Sequence, residues 1–274
     1  MAAVTVVAPG PLAAHGATDE QILALTLRIR DNPRNAELFL RRGDLHSEHE
    51  NWNSALDDYA QASELDPTLA VVDLARGRAL LNAGRFEAAK SAFDRFVVRE
   101  PFHPEARILR ARALGQLGQS DASVVDYTQA IDHLTRLGAP NPDYYLERAQ
   151  ASASRGLKHV GEALAGLEEG IATLGPLAVL QLYAIELELK LERVDAAIAR
   201  LDFLVAQTNR RESLLVQLGE ILELAGRTDA ARAAYEQAAS AISALPPRHR
   251  TTRATVELEA HLRDAVARLQ RSTN

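Results

Sequence analysis

The sequence predicts an all-α fold built from repeated pairs of helices, and three observations predict it. Apolar residues recur at helical spacing along most of the chain, the Val/Ile/Thr alternation typical of strands does not appear, and small and aromatic residues return at fixed intervals. The composition agrees, because 47% of the residues are apolar, with many Ala and Leu, against only 15 Gly and 11 Pro. We therefore expect stacked helix pairs, an α-solenoid.

Residues 36–67 show the unit that repeats. Gly43 in the predicted first helix and Ala55 in the second are small, so the two helices can approach closely. Tyr59 follows Ala55 by four residues and therefore lies on the same helical face. Pro67 ends the second helix, because a proline disfavours helical geometry in the residue before it. The stretch thus predicts one antiparallel helix pair.

The same positions recur down the chain. The small residue of the second helix returns at intervals of 34, 34, 40, 34 and 34 residues, as Ala55, Ala89, Ser123, Ala163, Ala197 and Ala231. Four residues later stand Tyr59, Phe93, Tyr127, Leu167, Leu201 and Tyr235. The first-helix position is held by Gly43, Gly77, Ala111, Ala149, Ile185 and Gly219. This pattern resembles the tetratricopeptide repeat, which has a period of about 34 residues.

The resemblance divides the chain into parts. It implies six repeats, near 36–67, 70–101, 104–135, 142–175, 178–209 and 212–245, of which the fifth is the most degenerate. Residues 18–32, opening with a Thr18 to Gln21 capping box, and residues 248–272 are expected to be capping helices, because each repeat buries its apolar face only against neighbours. The 40-residue interval reflects insertions near 138–142 and 157–161. We expect the stack to continue past them, with a division into two domains as the alternative.

Residues 1–17 carry no Asp, Glu, Lys or Arg and fit either a secretory signal lacking its basic start or a disordered tail. They are too short to span a membrane, which takes about 20 apolar residues. Both an exported or periplasmic and a cytoplasmic location stay open. If cleavage followed Ala14, His15 would begin the mature chain, and its amine and ring could chelate copper.

No catalytic motif is present, no cofactor is expected, and the chain has no cysteine. A net charge of −6 and a pI near 5.8 argue against nucleic-acid binding. His46 and His49 lie one helical turn apart, but we expect a core position and a turn rather than a metal site, because such sites need three or four ligands. The sequence therefore predicts a protein that is not an enzyme.

An arginine precedes the small residue of the first helix in four repeats, as Arg42, Arg76, Arg110 and Arg148. These residues are called the arginine ladder below. They could bind an anionic ligand, or they could pair with acids of the second helices such as Asp58 and Asp126. We favour pairing, because buried arginines are rarely left without a partner. Arg42 and His46 also depart from the family pattern, which has a leucine and a tyrosine there.

The resemblance implies a right-handed superhelix whose first helices line a concave groove for a protein or peptide partner. The implied groove residues are Leu40, Asp44, Leu74, Arg78, Ile108, Arg112, Leu146, Gln150, Leu182, Glu186, Val216 and Glu220. The lysine and asparagine clamp with which some members hold a C-terminal carboxylate is replaced here by Leu40, Asp44, Ala75, Glu105 and Leu109. We expect a scaffold or adaptor that binds a partner in this groove. The alternative is an exported accessory protein in metal or cell-envelope homeostasis.

Overall fold

The structure is a computed structural model that describes the backbone of residues 11–272 and the side chains of residues 19–269 and 271. Within this range the chain forms fifteen α-helices, one 3-10 turn at Leu157–His159 and no strand. The helices are α1 (Pro11–Asp31), α2 (Ala36–Glu48), α3 (Trp52–Leu65), α4 (Val71–Asn82), α5 (Phe86–Arg99), α6 (Pro104–Gln116), α7 (Ser120–Arg136), α8 (Pro142–Ala153), α9 (Val160–Leu174), α10 (Ala178–Lys190), α11 (Val194–Gln207), α12 (Glu212–Leu224), α13 (Thr228–Ser243), α14 (Pro247–Arg250) and α15 (Arg253–Ser272).

The contacts divide the chain into two compact units, one up to Ala139 and one from Pro140. The boundary lies in the linker where the sequence places inserted residues. Each unit is an α-solenoid segment in which consecutive helices pack as antiparallel pairs. No helix of the described range is both long enough and apolar enough to cross a membrane.

The first unit consists of α1 followed by the pairs α2–α3, α4–α5 and α6–α7. The helix expected to start at the Thr18 capping box begins instead at Pro11, so Thr18 lies inside α1. Proline suits the first turn of a helix, and the alanines that follow are strong helix formers, which explains the earlier start. Asn35 caps α2, where its side chain accepts a hydrogen bond from the Leu38 N–H at 3.3 Å.

Contacts between glycine and an aromatic ring set the spacing within several pairs. A Cβ placed on Gly43 would lie 2.7 Å from Tyr59 Cε1, and one on Gly77 would lie 2.4 Å from Phe93 Cε1. Both rings are buried in the hydrophobic core. The absent side chain therefore leaves the space that the ring of the second helix fills, as the spacing of small and aromatic residues predicts.

The second unit contains the pairs α8–α9, α10–α11 and α12–α13, followed by α14 and α15. Its first pair reverses the packing rule, because Tyr145 of α8 lies against Gly170 of α9, where a Cβ would come within 2.8 Å of the ring. The single helix expected over 248–272 is two helices, α14 and α15. The second of these packs on α13 and buries Leu262 and Leu269 in the core of this unit.

Candidate functional site

The arginine ladder is held within the protein. In the first repeat, the Nε of Arg42 donates to Asp58 Oδ2 at 2.8 Å, and its Nη2 donates to Oδ1 at 2.6 Å. In the third repeat, Arg110 contacts Asp126 in the same bidentate way, at 2.6 and 2.7 Å, and also reaches Asp94 at 2.9 Å. Hydrogen bonds to Asp58 and Asp126 raise the pKa values of Arg42 and Arg110. Both guanidinium groups therefore join the two helices of their repeat.

The other two ladder residues use backbone carbonyls. Arg76 Nη2 donates to the Tyr59 carbonyl at 3.2 Å, and burial lowers the pKa of this arginine. Arg148 Nη2 donates to the Gly166 carbonyl at 3.0 Å and to Glu169 Oε2 at 2.7 Å. All four ladder arginines thus have partners inside the protein. The contacts fit the interpretation of the ladder as part of the repeat packing.

A fifth arginine also joins the two helices of its repeat, but here the arginine lies in the second helix and the acid in the first. Arg200 lies in the second helix of the fifth repeat, and its Nε donates to Glu188 Oε1 of the first helix at 2.8 Å. Its Nη1 donates to Gln181 Oε1 at 2.6 Å, while Nη2 contacts Glu168 of the preceding second helix. Sequence reasoning missed this pair. Only half of the signal was available, because Arg200 precedes the aromatic position as Asp58 does, whereas the ladder position of this repeat is Ala184 and the acid is Glu188.

Half of the predicted groove residues form an aliphatic row, and three of them are buried. Leu74, Ile108 and Val216 are only 5%, 2% and 4% exposed. The prediction that these three line an open groove is wrong, because their side chains pack in the hydrophobic core and cannot reach a partner. Leu40, Leu146 and Leu182 are partly exposed and can still contribute apolar contact at a surface.

The other half forms a polar row, four residues further along each first helix, and this row is accessible. Arg78, Arg112, Gln150 and Glu186 are exposed, while Asp44 and Glu220 are half-buried. We call these six residues the polar row. In the first unit it changes from acidic to basic between the first and second repeats, and in the second unit it changes from neutral to acidic between the fourth and fifth.

Several members of the polar row are tied to neighbouring helices. Asp44 Oδ1 accepts a hydrogen bond from the Tyr59 hydroxyl at 2.9 Å, and burial raises the pKa values of both groups. Arg78 contacts Glu105, which belongs to the first helix of the next repeat. Glu220 Oε1 lies 2.6 Å from His261 Nε2. Helix α15 therefore contacts the polar-row residue of the last repeat. In the second unit, Gln150 and Glu186 are exposed, and a partner can contact them there.

Two pockets adjoin predicted groove residues, and neither was foreseen from the sequence. One, of about 430 Å³, lies between α1 and α2 beside Asp44 and includes Leu25, Arg28 and Arg41. The other, of about 400 Å³, lies beside Leu182 between α10, α11 and α12. We call it the Leu182 pocket, and it is lined by Pro176, Ala178, Leu182, Phe203, Leu204, Gln207, Thr208, Arg210, Ser213 and Leu214.

Metal-binding geometry does not occur among the described residues, because no group of three or more His, Asp or Glu side chains is placed to hold an ion. His46 is half-buried and is not among the residues of the hydrophobic core. Its Nδ1 is buried without a hydrogen-bond partner, and burial lowers its pKa. The side chain of His15, the predicted copper ligand, lies outside the described residues, as does the start of the signal-like segment.

The stacked pairs and their exposed first-helix positions define a helical-repeat protein. A family model described as tetratricopeptide repeat matches residues 74–142 and 184–246. The matched segments are tetratricopeptide repeats, a repeat that generally serves as a non-enzymatic scaffold. The fifth repeat, the most degenerate by sequence, lies largely within the match, whereas the first repeat and most of the fourth lie outside it.

Solved structures share the fold at low sequence identity. The C-terminal part of a TPR repeat-containing protein from Cytophaga hutchinsonii is 15% identical, with a TM-score of 0.67 over 89% of this chain and 95% of that one. A tetratricopeptide repeat protein from Parabacteroides merdae is 16% identical, with a TM-score of 0.55 over 94% of each chain. YrrB, described as a TPR protein with an unusual peptide-binding site, is 18% identical, with a TM-score of 0.56 over 67% of this chain and 91% of its own. No curated protein sequence matches the chain.

Proposed function

We propose that this protein is a non-enzymatic scaffold that binds an extended segment of a protein partner across its first helices. The observation that supports this is the polar row. Packing of the helix pairs uses the aliphatic position, and yet the position four residues later stays accessible in consecutive repeats, with Arg78 in the first unit and Gln150 and Glu186 in the second. A regular array of accessible side chains on one kind of helix suits a ligand that runs from repeat to repeat.

The spacing of the row sets an expectation for the partner. First helices of neighbouring repeats are in contact, as for α4 with α6 and α8 with α10. Packed helix axes lie roughly 8–10 Å apart, and an extended chain rises about 3.3 Å per residue. One row side chain therefore meets about every third residue of the partner. A segment bound by the first unit meets Arg78, which favours an acidic partner residue. A segment bound by the second unit meets Glu186, which favours a basic one.

The tetratricopeptide repeats of the chain and the peptide-binding site named for YrrB agree with this class of function. At this low sequence identity, YrrB supports the fold of this chain but not the identity of its partner. The charges of the polar row are therefore our guide to the partner. No sequence motif for catalysis competes with the scaffold reading.

A random-peptide display library, selected on the wild-type protein, tests the proposal. Selected peptides are then measured by fluorescence anisotropy against Arg78→Gln and Glu186→Gln. Matched controls are Arg99→Gln in α5 and Glu236→Gln in α13, which remove the same charges from exposed positions on second helices. We expect at least one row substitution to weaken binding on the order of tenfold, the effect of losing one good charged contact. If both controls weaken binding and both row variants do not, the partner uses the second helices and the proposal is wrong.

A further inference from the structure

The Leu182 pocket is lined by six apolar and four polar residues, and we call the polar ones its rim. Of its lining residues, Pro176, Ala178, Leu182, Phe203, Leu204 and Leu214 are apolar, and they come from the start of α10, the end of α11 and the start of α12. Its volume of about 400 Å³ lies within the range of roughly 300–1,000 Å³ found for ligand pockets. The pocket includes Leu182, a predicted groove residue, so it adjoins the surface proposed to carry the partner.

Phe203 distinguishes this pocket from the equivalent place in every other repeat. The residue two positions after the aromatic slot is polar or charged in the other five repeats, as Gln61, Arg95, Gln129, Glu169 and Gln237. Packing of a repeat thus requires no apolar side chain here. Phe203 is nevertheless 39% exposed. A single exposed apolar residue is ordinary on a protein surface, but this one forms the wall of a concave site with five other apolar residues.

An exposed arginine stands at the rim, and a buried carboxylate offsets part of its charge. Arg210 is the only charged residue among those lining the pocket, and its side chain is 62% exposed. Its Nε lies 3.2 Å from Glu212 Oε1, and Glu212 is buried, so that carboxylate faces inward while the guanidinium keeps an outer edge towards solvent. Arg211, the next residue, is exposed as well. An apolar pocket with this rim complements a ligand that has an apolar group next to a negative charge.

We propose that the Leu182 pocket receives a large apolar side chain, such as leucine or phenylalanine, from an extended partner segment that places a carboxylate beside Arg210. The inference rests on the proposed function. It specifies two residues of the partner, an apolar one that enters the pocket and an acidic one next to it. The apolar side chain gains from leaving water, and the acidic residue fixes the direction of the segment along α10.

An array of synthetic glycine and serine peptides tests the proposal. Each peptide carries one central Leu, Phe or Ala, flanked by Asp, Ser or Lys, and binding is measured with the wild-type protein. We expect Leu and Phe to bind about tenfold more tightly than Ala, and an Asp flank to bind more tightly than Ser, with Lys weakest. Equal binding of Leu and Ala, or a preference for the Lys flank, would overturn the proposal.

Two substitutions separate the anchor from the rim. Phe203→Gln introduces the residue that three other repeats carry at this place, so the fold is expected to be retained, as checked by circular dichroism and melting temperature. This variant should lose the preference for Leu and Phe over Ala. Arg210→Gln should keep that preference and lose the preference for Asp over Lys. If Phe203→Gln binds the array as wild type does, the pocket is not the anchor site.

Two further outcomes are distinguishable. If library-selected peptides respond to Glu186→Gln but not to Phe203→Gln, the scaffold proposal stands and the pocket proposal fails. If neither substitution matters and Arg78→Gln is also silent, both fail. Sedimentation velocity tests a second copy of the chain as the occupant, because a wild-type dimer that Phe203→Gln dissociates would place the neighbouring copy in the pocket and overturn the peptide proposal.

Discussion

Arg42 and Asp58 join the two helices of the first repeat through a pair of hydrogen bonds, Nε to Oδ2 at 2.8 Å and Nη2 to Oδ1 at 2.6 Å. The carboxylate is buried, with 6% of its side chain exposed, and the guanidinium is 20% exposed. The same geometry returns between Arg110 and Asp126. Arg42, which departs from the family pattern, thus forms a contact that recurs in this chain.

This geometry predicts an asymmetric response to mutation. Asp58→Ala should lower the free energy of unfolding by about 3 kcal/mol, because removal of one partner leaves a largely buried cation uncompensated. The double variant Arg42→Met, Asp58→Leu should recover most of that loss, since apolar residues of similar size can replace a buried ion pair. Urea denaturation followed by circular dichroism measures both.

The neighbouring residue provides a control for the first prediction. Arg41 lies 3.8 Å from Glu37, and both side chains are largely exposed. Arg41→Met should therefore change stability by less than about 0.5 kcal/mol. If Asp58→Ala costs no more than Arg41→Met, the paired geometry of Arg42 does not stabilise the repeat and this account of the ladder fails.

A second prediction concerns the glycine beneath the aromatic ring. Gly77→Ala should destabilise the protein by about 1–3 kcal/mol, because the new methyl group would meet Phe93 Cε1 at 2.4 Å and the core must shift. Adding Phe93→Leu should recover part of the loss. The fifth repeat already shows this combination, with Ile185 in the glycine position and Leu201 in the aromatic one, both fully buried.

Gly115→Ala is the matched control for that prediction. A Cβ there finds only Ser123 Oγ, at the ordinary distance of 3.8 Å, and the residue lies in α6. This substitution should be neutral or stabilising by up to about 1 kcal/mol, through helix propensity alone. Equal losses for Gly77→Ala and Gly115→Ala, measured by thermal denaturation, would show that the ring contact is not the cause.

A third prediction concerns acid. Burial lowers the pKa of His46, an effect that Asp58 opposes and that Arg42 and His49 reinforce. Folded His46 therefore binds a proton less readily than unfolded His46, whose pKa is about 6.5. Its contribution to stability is present above pH 6.5 and is lost as the pH falls through and below that value.

The wild-type melting temperature should thus fall more steeply between about pH 7 and pH 5.5 than that of His46→Gln, which cannot titrate. The comparison uses the slopes of the two curves, so a difference in absolute stability between the variants does not affect it. Parallel curves for the two proteins would mean that His46 titrates alike in the folded and unfolded chains.

The helix pairs could be predicted because their determinants are local and recur. Gly43 and Tyr59 define a packing contact whose spacing is visible in the residues themselves. The reversed contact of Tyr145 on Gly170 could not be predicted in this way, because Ala149 and Leu167 also satisfy the pattern at the expected positions. Either helix of this pair could supply the large side chain at the contact. The choice depends on side-chain volumes across the interface, and the repeat period does not give those volumes.

Surface features were harder to predict than the core. The spacing places Leu74, Ile108 and Val216 on one row, but their exposure depends on the helices packed around them, and those helices bury all three. The Leu182 pocket combines residues from three helices and so has no local signature. Phe203 could have been noticed, because comparison across the six repeats shows it as the apolar exception at its position.

The central claim is that the accessible faces of the first helices bind the partner. The most direct test is amide chemical-shift mapping of the isotopically labelled protein, titrated with a peptide selected from the display library. The account predicts large shifts in first helices, such as α10 and α12 around Glu186 and Ser213, accompanied in α11 by shifts at the Phe203 wall of the Leu182 pocket. Shifts confined to the second helices α9, α11 and α13 would contradict it.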